Sequence, residues 1–368
     1  MAKLNVIKQR VQGFLARPAV RAVNERTNRA VLRLLTANRA VATVGFWLSP
    51  LGFNRERWAM LSGRAAYRRN QDRTDATSPR LRRNVHRLEK ALIMEPRRPV
   101  FALDYIEETV EAFEVYRRDP ALTDPALARW SEDVLRAYFD AVEPDDRLDG
   151  LRQRFAAAAG DVDRSDPTAV AHAPFRRKES PELTVSYDDL LGLAMRRRSV
   201  RWFEDRPVPR ELVDQALLVG RQSPSACNRQ PFEYRIYDDP ELVRRVASIP
   251  FGAAGYSQNI QTIVVLVGKL DNFFSARDRH VIYIDASLSA MAFMFALETL
   301  GLASSVINWP DFEPLEAKMA KAIGLEPHER VVLLMAVGYP RSDGGIPYSA
   351  KKSLDFLRSY NAAPTTRP

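Results

Sequence analysis

The 368-residue chain is long enough for two domains that each bury a core. Its lone cysteine, Cys227, excludes an internal disulfide framework and suits a reducing, cytoplasmic setting. The four histidines, His86, His172, His280 and His328, lack the spacing of a ligand set, so no metal site is expected.

Charge is unevenly spread. Residues 1–100 hold 22 Lys and Arg against 6 Asp and Glu, and the remainder is net acidic. A basic segment of this kind suits an anionic membrane surface or an acidic polymer. It equally suits a solvated helical face that meets the acidic half of the same molecule. No specific nucleic-acid partner is expected.

Residues 1–40 read as two basic amphipathic helices broken at Pro18, with Val20, Val23, Val31, Leu34 and Leu35 at helical spacing after the break. The apolar run 40–53 contains Pro50 and is too short to cross a bilayer, which takes ~20 residues. After a polar loop at 68–80, Leu81, Val85, Leu88 and Leu92 make an apolar helical stripe ended by Pro96 and Pro99. On another face of that helix, His86, Glu89 and Lys90 form either an acid–base cluster or a surface ion-pair ladder. Helical patterns follow at 103–117, 126–141 and 148–159. Taken together, residues 1–160 read as a basic helical domain, 161–184 as a linker, and 185–368 as a second domain.

The second domain alternates helices and strands. Helices are predicted over 187–195, with Ser186 as N-cap, and over 209–220, 241–247, 283–300 and 315–323. Strands are predicted over 232–237, 261–268, 303–308 and 330–338, and the β-branched run 261–268 reads as a central strand buried on both faces. A helical tail is predicted over 353–361. This order gives a layered α+β domain.

Two stretches carry chemistry. Arg197, Arg198, Ser199 and Arg201 follow a helix and enter extended chain; guanidinium forks and a hydroxyl suit phosphate oxygens, although a charged helix end has the same composition. Residues 223–231 form a proline-flanked loop in which Ser225, Asn228 and Gln230 could meet the edge of a pyrimidine-like ring. Cys227 in that loop has no neighbouring histidine and reads as a small packed thiol. The glycine fingerprints of Rossmann and P-loop nucleotide sites are absent.

These two stretches, followed by Gly338-Tyr339-Pro340 and Lys351-Lys352-Ser353-Leu354-Asp355, resemble in order and spacing the nitroreductase family of FMN flavoproteins, across residues 185–361. The resemblance implies a central mixed sheet flanked by helices and a homodimer whose subunits share each FMN. It implies that NADH or NADPH reduces the flavin and that an organic acceptor reoxidises it, a nitro or quinone compound or a dedicated metabolite, in ping-pong fashion. Flavin N5 would carry the hydride, with no catalytic side chain required.

By position, the resemblance assigns Arg197, Arg198, Ser199, Arg201 and Lys351 to the phosphate, ribityl chain and pyrimidine edge. Pro224, Ser225 and Asn228 would contact the flavin, the first two from the partner subunit. Asn308 falls beside the flavin N5 edge, and Trp309 would crowd the substrate pocket above it. The alternative reading is a flavin-fold scaffold, or a membrane-associated binding protein, working through the basic N-terminal half.

Overall fold

The computed structural model describes residues 18–48, 50–70, 78–118, 124–159 and 171–361. The chain divides into two compact units, Met1–Arg57 and Trp58–Pro368. The expected linker 161–184 lies partly outside the described residues. Its described part, 171–184, holds only a single 3-10 turn, Arg177–Glu179.

Helix α1 (Pro18–Leu35) opens at Pro18, where the missing N–H costs nothing, and the first helix expected before that proline lies outside the described residues. Helices α2 (Arg39–Leu48) and α3 (Pro50–Arg69) follow. Within the first unit Leu35 packs where Gly45 has no side chain, which closes α1 onto α2.

In the second unit, α4 (Pro79–Leu92), α5 (Ile106–Arg117), α6 (Pro125–Ala141) and α7 (Asp146–Ala158) share one core. The predicted stripe Leu81, Val85 and Leu88 is fully buried in it, against Ile106, Phe113 and Leu135. Asp124 and Asp145 cap α6 and α7 by accepting from the first free backbone N–H groups.

Helices α8 (Tyr187–Arg196) and α9 (Arg210–Gly220) lead into strand β1 (Phe232–Tyr237) and helix α10 (Pro240–Ala247). Then come β2 (Thr262–Lys269), α11 (Val281–Thr299), β3 (Ala303–Asn308), α12 (Glu313–Ile323) and β4 (Glu329–Gly338). The strands pair antiparallel in the order β1-β2-β4-β3. The parallel component of the expected mixed sheet is confined to a bridge between Ser199 and Ser304.

Strand β2 shows why this sheet is a two-sided core. Ile263, Val265 and Val267 join the cluster under α10 and α12, while Val264 and Leu266 join the cluster under α11 and α9. Side chains alternate across a strand, so burial on both faces requires the unbroken apolar run read from the sequence.

The predicted helical tail is shorter than expected: only α13 (Leu354–Leu357) forms. Leu354, Phe356, Leu357 and Tyr360 are exposed, and a short helix with nothing to pack on is marginal in water.

Gly338 ends β4 where a Cβ would stand 2.8 Å from the Phe203 ring. Gly338→Ala should therefore lower stability by about 1–3 kcal/mol through overpacking. Urea midpoints would show this, and adding Phe203→Leu should return part of the loss, because the two residues share one space.

Candidate cofactor site

Helix α8 begins with a reciprocal cap, Ser186 Oγ accepting from Asp189 N–H while the Asp189 carboxylate accepts from Ser186 N–H. It ends at Arg196, and the chain then runs extended along β3. Val200 N–H donates to Ser304 O (3.1 Å), Glu204 N–H to Tyr339 O (2.9 Å) and Arg341 N–H to Trp202 O (3.1 Å). Asn259 clamps the same segment from the side: its Oδ1 accepts from Phe203 N–H (2.6 Å) and its Nδ2 donates to Phe203 O (3.0 Å).

This pinned segment carries the arginines. Arg201 lies over the Tyr256 ring at 5.8 Å, and Arg198 donates to Tyr348 O at 3.4 Å. That contact draws the exposed chain leading to Lys351 toward the cluster. Neighbouring arginines are paired, Arg196 with Glu298 and Arg210 with Asp238. Among the described residues, Arg197, Arg198 and Arg201 make no ion pair, and Arg197 Nε is buried without a hydrogen-bond partner. Ser199 sits between them, half-buried. The Glu298 carboxylate acts on both Arg196 and Arg197, so the adjacent guanidinium groups outnumber this counter-charge and fit an oxyanion such as a phosphate.

The second stretch is a strained turn. In residues 223–231, Cys227, Asn228 and Gln230 all have left-handed backbone (φ 54°, 50° and 50°), which costs on the order of 1–2 kcal/mol for each residue with a side chain. Three hydrogen bonds hold it. Ala226 N–H donates to Asp285 Oδ2 (2.9 Å), Gln230 N–H to Ser225 Oγ (3.0 Å), and Gln230 Nε2 to Asn228 Oδ1 (2.9 Å). Arg229 turns inward over the Phe273 ring (4.9 Å) and is buried.

Helix α4 packs on the back of this turn. A cavity of about 600 Å³ lies between them, lined among others by Arg82, Trp130, His172, Arg221, Pro224 and Asn228.

One chain does not bring the two stretches together. Ser199 bridges to β3, on one edge of the sheet, while the turn leads into β1 on the other edge. Ser304 lies in the row of Val337 and Thr262, and Phe232 in the row of Gly268. They are thus separated by about 14 Å across the strands and about 20 Å along them.

Other predicted residues are distributed as follows. Asn308 is exposed at the end of β3. Trp309, expected at the substrate, is instead a core residue: its indole N–H donates to buried Glu316 (2.6 Å), which faces buried Arg330 at 3.6 Å. An indole buried with its N–H satisfied is a stable packing element. The His86, Glu89 and Lys90 group is split. His86 and Glu89 pair at 3.4 Å, and Glu89 also accepts from Trp130 Nε1, whereas Lys90 lines a separate cavity with Arg87 and Arg98.

Asn259, Asp285 and Arg229 escaped sequence reading. Each acts on a segment far away in sequence, so no local pattern marks them.

A nitroreductase family model matches residues 194–259 and 257–339. Human iodotyrosine deiodinase 1 is 22% identical over 218 residues, covering 51% of this chain and 74% of that one. A putative NADH dehydrogenase/NAD(P)H nitroreductase of Methanothermobacter thermautotrophicus is 26% identical over 167 residues, covering 44% and 82%. A crystal structure of a putative NADH dehydrogenase/NAD(P)H nitroreductase from Parabacteroides distasonis is 23% identical, covers 47% of this chain and 98% of its own, and has a TM-score of 0.42.

Burial holds the Asp285 carboxyl above the ordinary aspartate range, outweighing the Ala226 N–H and the Arg229 charge. The folded chain then binds this proton more tightly than the unfolded chain, so Asp285 lowers stability as pH rises through the interval between the two pKa values. Asp285→Asn keeps an acceptor without the charge. It should raise the urea midpoint near pH 7 and flatten the fall in stability as pH rises above about 4. Asp285→Ala, which leaves the Ala226 N–H unpaired, should lower stability by about 1–3 kcal/mol.

Proposed function

Residues 194–339 place the chain in the nitroreductase family, and on that basis we propose that it is an FMN-dependent oxidoreductase, reduced by NADH or NADPH and active as a homodimer. The observation that carries this reading is the set of arginines at 197, 198 and 201, pinned on a rigid sheet edge without ion pairs of their own among the described residues, where Glu298, already paired with Arg196, is shared with Arg197. Together with Ser199 and the Lys351 segment, they would hold the FMN phosphate and ribityl chain. Asn308, exposed at the end of β3, would face the ring.

Pro224, Ser225 and Asn228 would come from the second copy. The separation of the two stretches across one sheet supports this division. So does the apolar surface left open: Tyr187, Leu190, Leu191 and Met195 on α8, and Ile284 and Leu288 on α11, are all exposed. Helices α8 and α11 pack together, and exposed apolar side chains on two neighbouring helices support an interface with a second copy.

Bound FMN would accept a hydride from the nicotinamide and pass electrons to an organic acceptor, donor and acceptor taking turns in one pocket. The chain's own contribution is to bind, orient and neutralise. The strained turn presents Pro224 and Asn228 in a fixed geometry, and the guanidinium groups oppose the negative charge of the cofactor. Deiodinases among the relatives put an iodinated aromatic beside nitro compounds and quinones as acceptors to be screened.

The purified protein should be yellow, with the absorbance of an oxidised flavin that NADH or NADPH bleaches. Colourless protein that takes up no added FMN would end the proposal. Arg197→Ala with Arg201→Ala should weaken FMN binding, each lost charge-assisted contact contributing about 1.5–3 kcal/mol. Unchanged affinity by flavin-fluorescence titration would move the phosphate site elsewhere. Leu190→Asp with Leu191→Asp should give a monomer by sedimentation and release the flavin, since each half-site is then incomplete.

A further inference from the structure

The first compact unit, Met1–Arg57, holds 11 Lys and Arg against 2 Asp and Glu. Its net charge of +9 equals that of the entire chain, so residues 58–368 are neutral in sum. Residues 1–57 are thus as basic as the entire chain, and the basic stretch 58–100 that follows is offset by the acidic residues after it. The proposed flavin chemistry makes no use of this first unit.

The same unit exposes large apolar side chains. On α1, Val23 (64% exposed), Val31 (47%) and Leu34 (68%) recur at spacings of eight and three, which places them on one face of the helix. Arg26 and Arg33 are exposed at one flank of that face. On α2, Val44 and Phe46 are exposed, and Phe53 follows in α3. The Phe46 and Phe53 rings meet at a tilt with centroids 4.3 Å apart, and Arg57 lies over the Phe46 ring at 4.9 Å. Helices α1 and α2, at 18 and 10 residues, carry a polar face or fall short of bilayer thickness, so neither reads as a span.

We propose that this unit is a docking surface for an anionic lipid bilayer, on which α1 and α2 lie in the interfacial plane. Charge alone would suit a polynucleotide as well. The apolar side chains decide between them, because phosphate contacts along a nucleic acid need no exposed valine, leucine and phenylalanine, whereas an interfacial helix buries such a face among acyl chains. Arginines flanking that face reach the headgroup phosphates with their guanidinium ends while their stems stay apolar. The oxidoreductase domain would then be held at a membrane surface, within reach of acceptors that partition into lipid.

The test is co-sedimentation of the full chain with sucrose-loaded vesicles. Vesicles of phosphatidylglycerol and phosphatidylcholine should carry the protein down, pure phosphatidylcholine vesicles should not, and binding should fall as salt rises from about 0.1 to about 0.5 M. Arg26→Glu with Arg33→Glu should weaken binding at least about tenfold. Val31→Asp with Leu34→Asp, both exposed and tolerable to the fold, should also abolish it, with circular dichroism and flavin content unchanged. Equal binding to neutral vesicles overturns the proposal. So does full binding by the Val31/Leu34 variant, which would reduce the contact to charge alone. Absence of vesicle binding together with a shift of duplex DNA or RNA on a gel would also overturn it, in favour of a nucleic-acid surface.

Discussion

The close approach of the Phe203 ring to Gly338 is the contact on which the candidate site depends. It lets the chain after α8 lie against the end of β4, where Glu204, Trp202 and Asn259 complete its hydrogen bonds. A backbone tied at this many points cannot relax to separate its charged side chains. Three arginines that outnumber the nearby Glu298 carboxylate are consequently held on one short segment, a state that an isolated helix end would avoid by fraying. The cluster's affinity for an oxyanion thus comes from the rigidity of the sheet edge as much as from the residue types.

Buried ionic groups sit elsewhere in the sheet domain and differ in kind. Arg235 donates to both oxygens of Glu329, at 2.8 and 2.9 Å, and Lys269 joins Glu233 at 2.8 Å. Arg330 pairs with Asp311 and faces Glu316. These cations are neutralised internally, each by a carboxylate of the same domain. The contrast with residues 197–201 separates structural arginines from those left to meet a ligand.

The helical region before the sheet domain is more than an appendage. Gly63 of α3 lies so near Leu270 that a Cβ would stand 2.6 Å from it, and Ala59 shares a small core with Leu270, Phe273 and Ile282. Helix α4 backs the strained turn at residues 226–228, whose neighbour Arg229 stacks on Phe273. Whatever that turn presents to a cofactor is therefore held from behind by helices that precede it by more than a hundred residues. This accounts for their retention within the same compact unit as the sheet.

Local pattern and composition determined much of this protein. The Ser186 cap, all four strands, the double-sided burial of β2 and the glycine stops at 301 and 324 follow from side-chain period and backbone permissiveness, which act within a few residues. The arginine cluster and the proline-flanked loop were legible for the same reason. Only tertiary structure decided the rest. It placed the two stretches on opposite edges of one sheet, turned Trp309 into the core, separated Lys90 from His86 and Glu89, and recruited Asn259 and Asp285 as supports. Those outcomes depend on strand order and on contacts made after the elements pack, such as Asn259 with Phe203 and Asp285 with Ala226, more than fifty positions apart. Strand order is a property of how elements pack together, which no local pattern encodes.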